Sequence, residues 1–228
     1  MKDLKNKIKA IIFDMDGTII KTEHIWQKVT NDFLAINGIE NPSSKHKDLI
    51  QSLSGIGLLK SAIILKKEFN LPQTENEIVI QKLELSRKIF LQGIEFIDGF
   101  KNFHKKLSEN FIPTGVATNA DIKTIQTINE KLNLKNYFGL NIYSPEHIGS
   151  NLKPDPAIFL HTAKQLNAKP EECIIFEDSV YGFQAAKAAG IKCIAIKNDL
   201  NQKLLHQVHG SIDNYDQAEE MLKKLILR

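Results

Sequence analysis

The sequence contains few cysteines, and none of them lies in a recognisable metal or disulfide pattern. Only Cys173 and Cys193 are present among 228 residues, without a CxxC or Cys/His spacing. Each lies in a short apolar run typical of a buried strand, where a thiol acts as a small hydrophobic group. We therefore expect neither a disulfide framework nor a cysteine-bound metal, and a reducing compartment is favoured.

Arginine and long apolar runs are also scarce. Arg87 and Arg228 are the only arginines, so the net charge of +3 comes almost entirely from lysines. These are interspersed with Glu and Asp, which does not indicate a nucleic-acid-binding surface. No apolar run reaches the length of about 18 residues that a membrane span requires, and the apolar run after the basic N-terminus already ends at Asp14. We expect a cytoplasmic monomer or weak homodimer whose partner is a small anionic molecule, with no nucleic-acid or membrane partner.

The predicted elements indicate a chain of two domains. Residues 9–13 form a short buried strand, whereas residues 20–92 carry apolar residues at spacings of three and four, as in amphipathic helices. After Gly99, single helices separate the strands, which is typical of βαβ units on a mostly parallel sheet. The fold class is therefore α/β, with a Rossmann-like core of residues 1–19 and 93–228 and an inserted helical cap domain of residues 20–92.

The elements of the core can be placed from the same patterns. We predict helices at 100–110, 122–132, 156–166 and 182–189, and strands at 112–117, 140–143, 173–176 and 191–196.

Polar residues follow these strands where each one ends. Asp14 and Asp16 come directly after the first strand, Thr118 and Asn119 follow the second, and Glu177 and Asp178 follow a later one, while Lys153 precedes a helix. In open parallel sheets, ligands bind outside the carboxyl ends of the strands. We expect these side chains to meet in one site that holds four carboxylates and a lysine.

A cluster of carboxylates repels itself unless a cation is present. Mg²⁺ prefers carboxylate, carbonyl and phosphate oxygens, and no His or Cys within these motifs favours zinc. An EF-hand calcium loop starting at Asp14 is excluded, because Ile19 and Ile25 stand where Gly and Glu are required. The predicted cofactor is therefore Mg²⁺.

The motifs resemble those of the haloacid dehalogenase superfamily, in the branch with a helical cap that contains β-phosphoglucomutase and related phosphatases. The matching segments are Asp14-Met15-Asp16-Gly17-Thr18, Thr118, Lys153 and Glu177-Asp178, in that order. The resemblance covers essentially the whole core. It implies a magnesium-dependent phosphatase, a phosphoric monoester hydrolase acting on a small phosphorylated metabolite through an aspartyl-phosphate.

The resemblance also implies a role for each acidic residue. Asp14 would attack phosphorus as the nucleophile, and Asp16 would serve as the general acid and base. The Asp14 carboxylate, the backbone carbonyl of Asp16 and the side chains of Glu177 and Asp178 would hold Mg²⁺.

The remaining motif residues are implied to bind the phosphate. Lys153 would offset its negative charge, and the Thr118 hydroxyl would donate to it together with the backbone amides of Met15 and Asn119. Gly55 lies in a cap loop at the place where related proteins contact the substrate. A glycine here could equally serve only to end a helix.

Two other functions compete with the phosphatase. A carboxylate at Asp16 disfavours a dehalogenase or phosphonatase but suits a phosphomutase of the β-phosphoglucomutase type. A mutase binds a bisphosphate, which favours an arginine clamp in the cap. Arg87 is the only cap arginine and does not lie in the loop near Gly55, although lysines such as Lys60 or Lys66 could substitute for the clamp. A non-enzymatic phosphate-binding regulator is the third alternative, disfavoured because every catalytic position is filled.

Overall fold

The computed structural model describes residues 7–40, 42–53 and 57–226 and divides them into two compact units. One unit comprises the residues up to Lys21 and from Glu95 onwards, and the other comprises Thr22–Ile94. The loop residue Gly55 lies outside the described residues. Within the described ranges, no helix combines the length and the apolar composition needed to cross a bilayer.

The larger unit is built on one six-stranded sheet in which every neighbouring pair is parallel. Its strands are β1 (Ala10–Phe13), β2 (Thr114–Ala117), β3 (Ile142–Tyr143), β4 (Cys173–Glu177), β5 (Lys192–Ile196) and β6 (Gly210–Ile212). Their order is β3-β2-β1-β4-β5-β6. All four residues of β1 are buried, as expected for a central strand covered on both faces. The predicted α/β class is confirmed.

The smaller unit is helical. It contains α1 (Glu23–Ile36), α2 (Ser44–Ser52), α3 (Leu58–Phe69) and α4 (Glu75–Gln92). Helix α4 begins with a reciprocal capping box between Thr74 and Glu77, which satisfies two backbone amides at the helix start. The unit has its own apolar core, to which α1 contributes Phe33 and Leu34. Its buried polar residues include Lys82, whose Nζ donates to Ser61 Oγ at 2.8 Å.

The described part of the larger unit contains six further α-helices. They are α5 (Phe100–Glu109), α6 (Ile122–Leu132), α7 (Lys135–Phe138), α8 (Ala157–Gln165), α9 (Val180–Ala188) and α10 (Ala218–Ile226). Side chains cap two of them, since Asp121 accepts from the Thr124 amide at α6 and Ser179 accepts from the Gly182 amide at α9. The Ser179 cap explains why α9 begins two residues before the predicted start at 182.

The structure corrects several predicted boundaries. Strand β2 begins at Thr114 and not at 112, and β3 is confined to Ile142–Tyr143. No element was predicted after residue 196, yet β6 and α10 both lie there. Strand β6 has only three residues, which is too few for a period-2 pattern to be visible.

Candidate active site

Asp14 follows β1 directly and is nearly completely buried. A tight turn comes next, in which the Met15 carbonyl accepts from the amide of Ile19 at 2.9 Å. Gly17 adopts φ +74°, and a Cβ atom there would lie 2.1 Å from Oδ2 of Asp178. Glycine is therefore required on two grounds, because the backbone is left-handed and because the Asp178 carboxylate occupies the space of a side chain.

Lys153 connects two strand ends through its ammonium group. Its Nζ lies 2.6 Å from Asp14 Oδ1 and 2.8 Å from Glu177 Oε2. The backbone amide of Lys153 donates to Oδ1 of Asn119 at 2.9 Å, so the loop after β2 holds the lysine segment in place. This contact of the Asn119 side chain was not predicted. The predicted contact of its backbone amide with phosphate stays a prediction.

Burial and charge shift the pKa values in this cluster. Burial alone lowers the pKa of Lys153, but the negative charges of Asp14 and Glu177 hold it above its ordinary value. For Asp14, burial and the charge of Glu177 raise the pKa to about 8, against the lowering effect of Lys153. Burial and the negative charges of Glu177 and Asp14 raise the pKa of Asp178 well above its ordinary value, again against the lowering effect of Lys153. The carboxylates thus exceed what a single lysine can neutralise.

Glu177 is held by the start of helix α9 as well as by the lysine. Its Oε1 accepts from the backbone amides of Asp178 and Ser179 and from Ser179 Oγ, each at 3.0 Å. Helix α9 packs against it so closely that a Cβ atom at Gly182 would lie 1.8 Å from the Glu177 Cδ. The glycine makes this approach possible.

The donor set suits a hard divalent cation. Asp14, Glu177 and Asp178 each offer one carboxylate oxygen within 4.8 Å of the others, the one such group found in the described part of the chain. The charge of Asp16 also raises the pKa of Asp14 and of Asp178, which is consistent with its carboxyl lying near both. Oxygen ligands without His or Cys match the preference of Mg²⁺, whose charge would favour the ionised form of all these carboxylates.

Thr118 is fully buried at the end of β2. Its backbone amide donates to the Tyr143 carbonyl at 3.1 Å, and its Oγ1 accepts from the Ala120 amide at 3.0 Å. These contacts fix the hydroxyl oxygen, while the hydroxyl hydrogen can donate to a ligand.

Three residues that were not predicted contact the site residues. Asn198 and Asn201, in the loop after β5, donate to Asp178, and Tyr215 donates through its hydroxyl to the Thr18 carbonyl at 3.0 Å. The asparagines could have been found from the sequence, because they follow the end of a strand just as Asp14 and Thr118 do. Tyr215 is nearly two hundred residues from Thr18 and gives no such signal.

Comparison with known proteins agrees with these motifs. Residues 11–196 match the model of the haloacid dehalogenase-like hydrolase family. Fructose-1-phosphate phosphatase of Escherichia coli is 27% identical over 194 residues, covering 82% of this chain and 96% of that protein. The 6-phosphogluconate phosphatase of the same organism is 29% identical over 221 residues, covering 96% of each.

Solved structures share the fold. A haloacid dehalogenase hydrolase of family IA, variant 3, from Entamoeba histolytica has a TM-score of 0.83 at 24% identity and covers 97% of this chain and 100% of its own. The β-phosphoglucomutase of Clostridium difficile has a TM-score of 0.70 at 22% identity, covering 97% of this chain and 100% of its own. At these identities the likeness speaks for the fold alone.

Proposed function

The chain belongs to the haloacid dehalogenase-like hydrolase family, as its motifs predicted, and on that premise we propose that it is a phosphatase of small phosphorylated sugars. The observation that carries the proposal is the buried Asp14 carboxylate, held by Lys153 at the end of β1 with Asp16 two residues further on. Two Escherichia coli relatives are named for phosphatase activity on a sugar phosphate and a sugar-acid phosphate. A Thermotoga maritima relative, 26% identical over 189 residues, is named a phosphorylated carbohydrates phosphatase.

Asp14 would act as the nucleophile. Its carboxylate attacks the phosphorus atom, the bond from phosphorus to the sugar oxygen breaks, and an aspartyl-phosphate results. Lys153 orients Asp14 through the 2.6 Å contact and favours its ionised form. Its positive charge also lies beside the position where the phosphoryl oxygens would come, which stabilises the transferring group.

Asp16 would move the proton in both halves of the reaction. It protonates the leaving sugar oxygen in the first half and takes a proton from the attacking water in the second, which releases inorganic phosphate and restores both aspartates. A partly exposed position in the turn after β1 suits this role, because the acid must reach substrate and water.

The other motif residues would bind the phosphate and a magnesium ion. Thr118 would donate its hydroxyl hydrogen, with the backbone amides of Met15 and Asn119, to phosphate oxygens. Mg²⁺ would be held by the carboxylates of Asp14, Glu177 and Asp178 and the backbone carbonyl of Asp16. When bound, the ion supplies positive charge that neutralises the oxygens of the transferring group.

A substrate panel with a matched pair of variants tests the proposal. Phosphate release from sugar phosphates and sugar-acid phosphates would be measured with Mg²⁺ for wild type, Asp14→Asn and Asp213→Asn. Asp213 is an exposed aspartate paired with Lys197, so its substitution controls for the loss of a carboxylate. We expect at least about a thousandfold loss in Asp14→Asn, since removal of a covalent nucleophile typically costs that much or more, and near wild-type rates in Asp213→Asn.

Two results would contradict the phosphatase. Turnover that survives Asp14→Asn would remove Asp14 from the chemistry. Isomerisation of a sugar phosphate that depends on a bisphosphate primer, with little phosphate release, would instead support the phosphomutase.

A further inference from the structure

The loop after β5 folds against Asp178 and contacts both its side chain and its backbone. Asn198 Nδ2 donates to Asp178 Oδ2 at 3.1 Å and lies 3.3 Å from the Asp178 carbonyl oxygen. Asn201 Nδ2 donates to that same carbonyl and to the Ile196 carbonyl, both at 2.8 Å. Two amide side chains are thus committed to one aspartate.

The two asparagines also hold each other. Asn198 Oδ1 accepts from the amides of Leu200 and Asn201 at 3.0 and 2.9 Å, and Asn201 Oδ1 accepts from the Asn198 amide at 3.1 Å. Asn201 is buried, with 2% of its surface exposed. These reciprocal bonds define the turn and leave the side-chain Nδ2 hydrogens of Asn198 directed at Asp178.

Asp178 needs such support because of its neighbours. Its carboxylate shares a small volume with those of Asp14 and Glu177, and like charges at this separation repel. Gly17, which lacks a side chain, bounds the Oδ2 atom on another side. A neutral donor at Oδ2 stabilises the carboxylate and restricts its rotation without adding a competing positive charge.

We propose that Asn198 is a positioning residue that orients Asp178 for a divalent cation, with Asn201 holding the loop from which it acts. The inference rests on the proposed function, in which Asp178 is a metal ligand. Hydrogen-bond partners of metal ligands typically contribute 10- to 100-fold to metal affinity, as a rough range. Asn198 supplies the side-chain amide that donates to Asp178 Oδ2.

The test measures metal binding directly, without substrate. Asn198→Ser keeps an oxygen that can accept from the turn amides but is too short to reach Asp178. Mg²⁺ dissociation constants would be measured by calorimetry, and Mn²⁺ binding by electron paramagnetic resonance. We expect about a tenfold weaker affinity in Asn198→Ser, with the rate of phosphate release restored to within about threefold of wild type at saturating Mg²⁺.

Two matched variants separate positioning from loop integrity. Asn214→Ser changes another turn asparagine, whose Oδ1 accepts from the Asp216 amide at 3.0 Å, and should leave the metal affinity unchanged. Asn201→Ser removes the Nδ2 contacts with the Asp178 and Ile196 carbonyls, while its hydroxyl oxygen can still accept from the Asn198 backbone amide. We expect it to lower the melting temperature and to weaken Mg²⁺ binding less than Asn198→Ser does. Circular dichroism would verify that each variant is folded.

The outcomes are distinct. An unchanged Mg²⁺ affinity in Asn198→Ser, or an equal loss in Asn198→Ser and Asn201→Ser, would overturn the inference. A wild type that binds Mg²⁺ but releases no phosphate would overturn the proposed function, while the dissociation constants would still decide the role of Asn198. A wild type that binds no divalent metal would overturn both.

Discussion

The Nζ atom of Lys153 lies 2.6 Å from Oδ1 of Asp14, with only 2% and 9% of the two side chains exposed. The same ammonium group lies 2.8 Å from Glu177 Oε2. A buried charge is tolerated when it is paired and is costly when its partner is removed. Structure and chemistry therefore depend on the same contact, because the lysine that stabilises the buried carboxylates also orients the proposed nucleophile.

Replacing this lysine should impair folding as well as activity. Lys153→Met leaves Asp14 and Glu177 without their shared cation, so we expect the free energy of unfolding to fall by about 3–5 kcal/mol and phosphate release to be lost. Urea titration followed by circular dichroism measures the first effect.

A lysine in a surface ion pair serves as the control. Lys197 pairs with Asp213 at 3.0 Å near the surface, and Lys197→Met should change the free energy of unfolding by no more than about 1 kcal/mol. A similar decrease in the free energy of unfolding in Lys153→Met and Lys197→Met would mean that burial of Lys153 does not increase its contribution to stability.

Gly182 offers a second prediction, in which two effects oppose each other. Alanine is the better helix former, by about 1 kcal/mol, but its Cβ would lie 1.8 Å from the Glu177 Cδ. Because the contact is with a side chain fixed by four hydrogen-bond donors, the overlap should prevail. We expect Gly182→Ala to lower the free energy of unfolding by about 1–3 kcal/mol and to reduce the rate of phosphate release by displacing Glu177.

Gly93→Ala is the matched control for Gly182→Ala. Among the residues that the structure describes, none apart from the two adjoining Gly93 has an atom within 4 Å of a Cβ placed there, and its φ of 172° is extended backbone that alanine adopts freely. Its thermal midpoint should stay close to that of wild type. A stabilised Gly182→Ala protein would show that helix propensity outweighs the overlap.

The arrangement of the strands explains how much of the site could be predicted. Asp14 and Lys153 are 139 residues apart. Asp14 follows β1 directly and Lys153 lies in the segment between β3 and α8, and parallel strands end on one side of the sheet, where the two residues meet. Periodicity also located the central elements, since their apolar residues are buried on regular faces. For α10, the buried Leu222 and Leu225 carry a helical spacing that would have supported its prediction.

Other features depend on side-chain geometry that no local pattern records. Tyr215 donates to the Thr18 carbonyl across 197 residues of sequence, inside a cluster of aromatic rings that includes Phe13 and Phe103. The place of Asn198 after the end of β5 could be found from the sequence, but its donation to Asp178 Oδ2 depends on how that loop turns. The partner of each donor therefore follows from the packed structure and not from residue type or spacing alone.

Metal binding should increase the thermal stability of the protein. A ligand that binds only the folded state at about 100 times its dissociation constant adds about 2.7 kcal/mol. We therefore expect Mg²⁺ to raise the melting temperature of wild type and EDTA to reverse the rise. In Asp178→Asn the response should be much smaller, because one carboxylate ligand is lost. An equal response in the two proteins would place the ion elsewhere.

His104 provides a prediction about pH. It is buried on α5, its Nε2 lies 3.0 Å from Thr114 Oγ1, and its ring packs against Phe138. Burial lowers the pKa of His104 to about 4 from its ordinary value of 6.5. The unfolded chain therefore binds the additional proton between these pH values, and the folded chain does not.

This difference in proton uptake means that stability falls as the pH is lowered. The contribution of His104 to stability is complete above about pH 6.5 and is lost as the pH falls towards 4, by roughly 3 kcal/mol in all. In His104→Phe this part of the pH dependence should disappear, so the difference in free energy of unfolding between wild type and variant should change by that amount. Urea titrations at several pH values from 4 to 7 would measure it.

Thr114→Val tests whether burial or hydrogen bonding is the cause of the low pKa of His104. The variant removes the hydroxyl near Nε2 but leaves the imidazole buried, so it should be less stable at every pH and keep the slope of wild type. If His104→Phe kept that slope as well, the pH dependence would belong to other groups. If Thr114→Val abolished it, the hydrogen bond and not the burial would hold the pKa of His104 low.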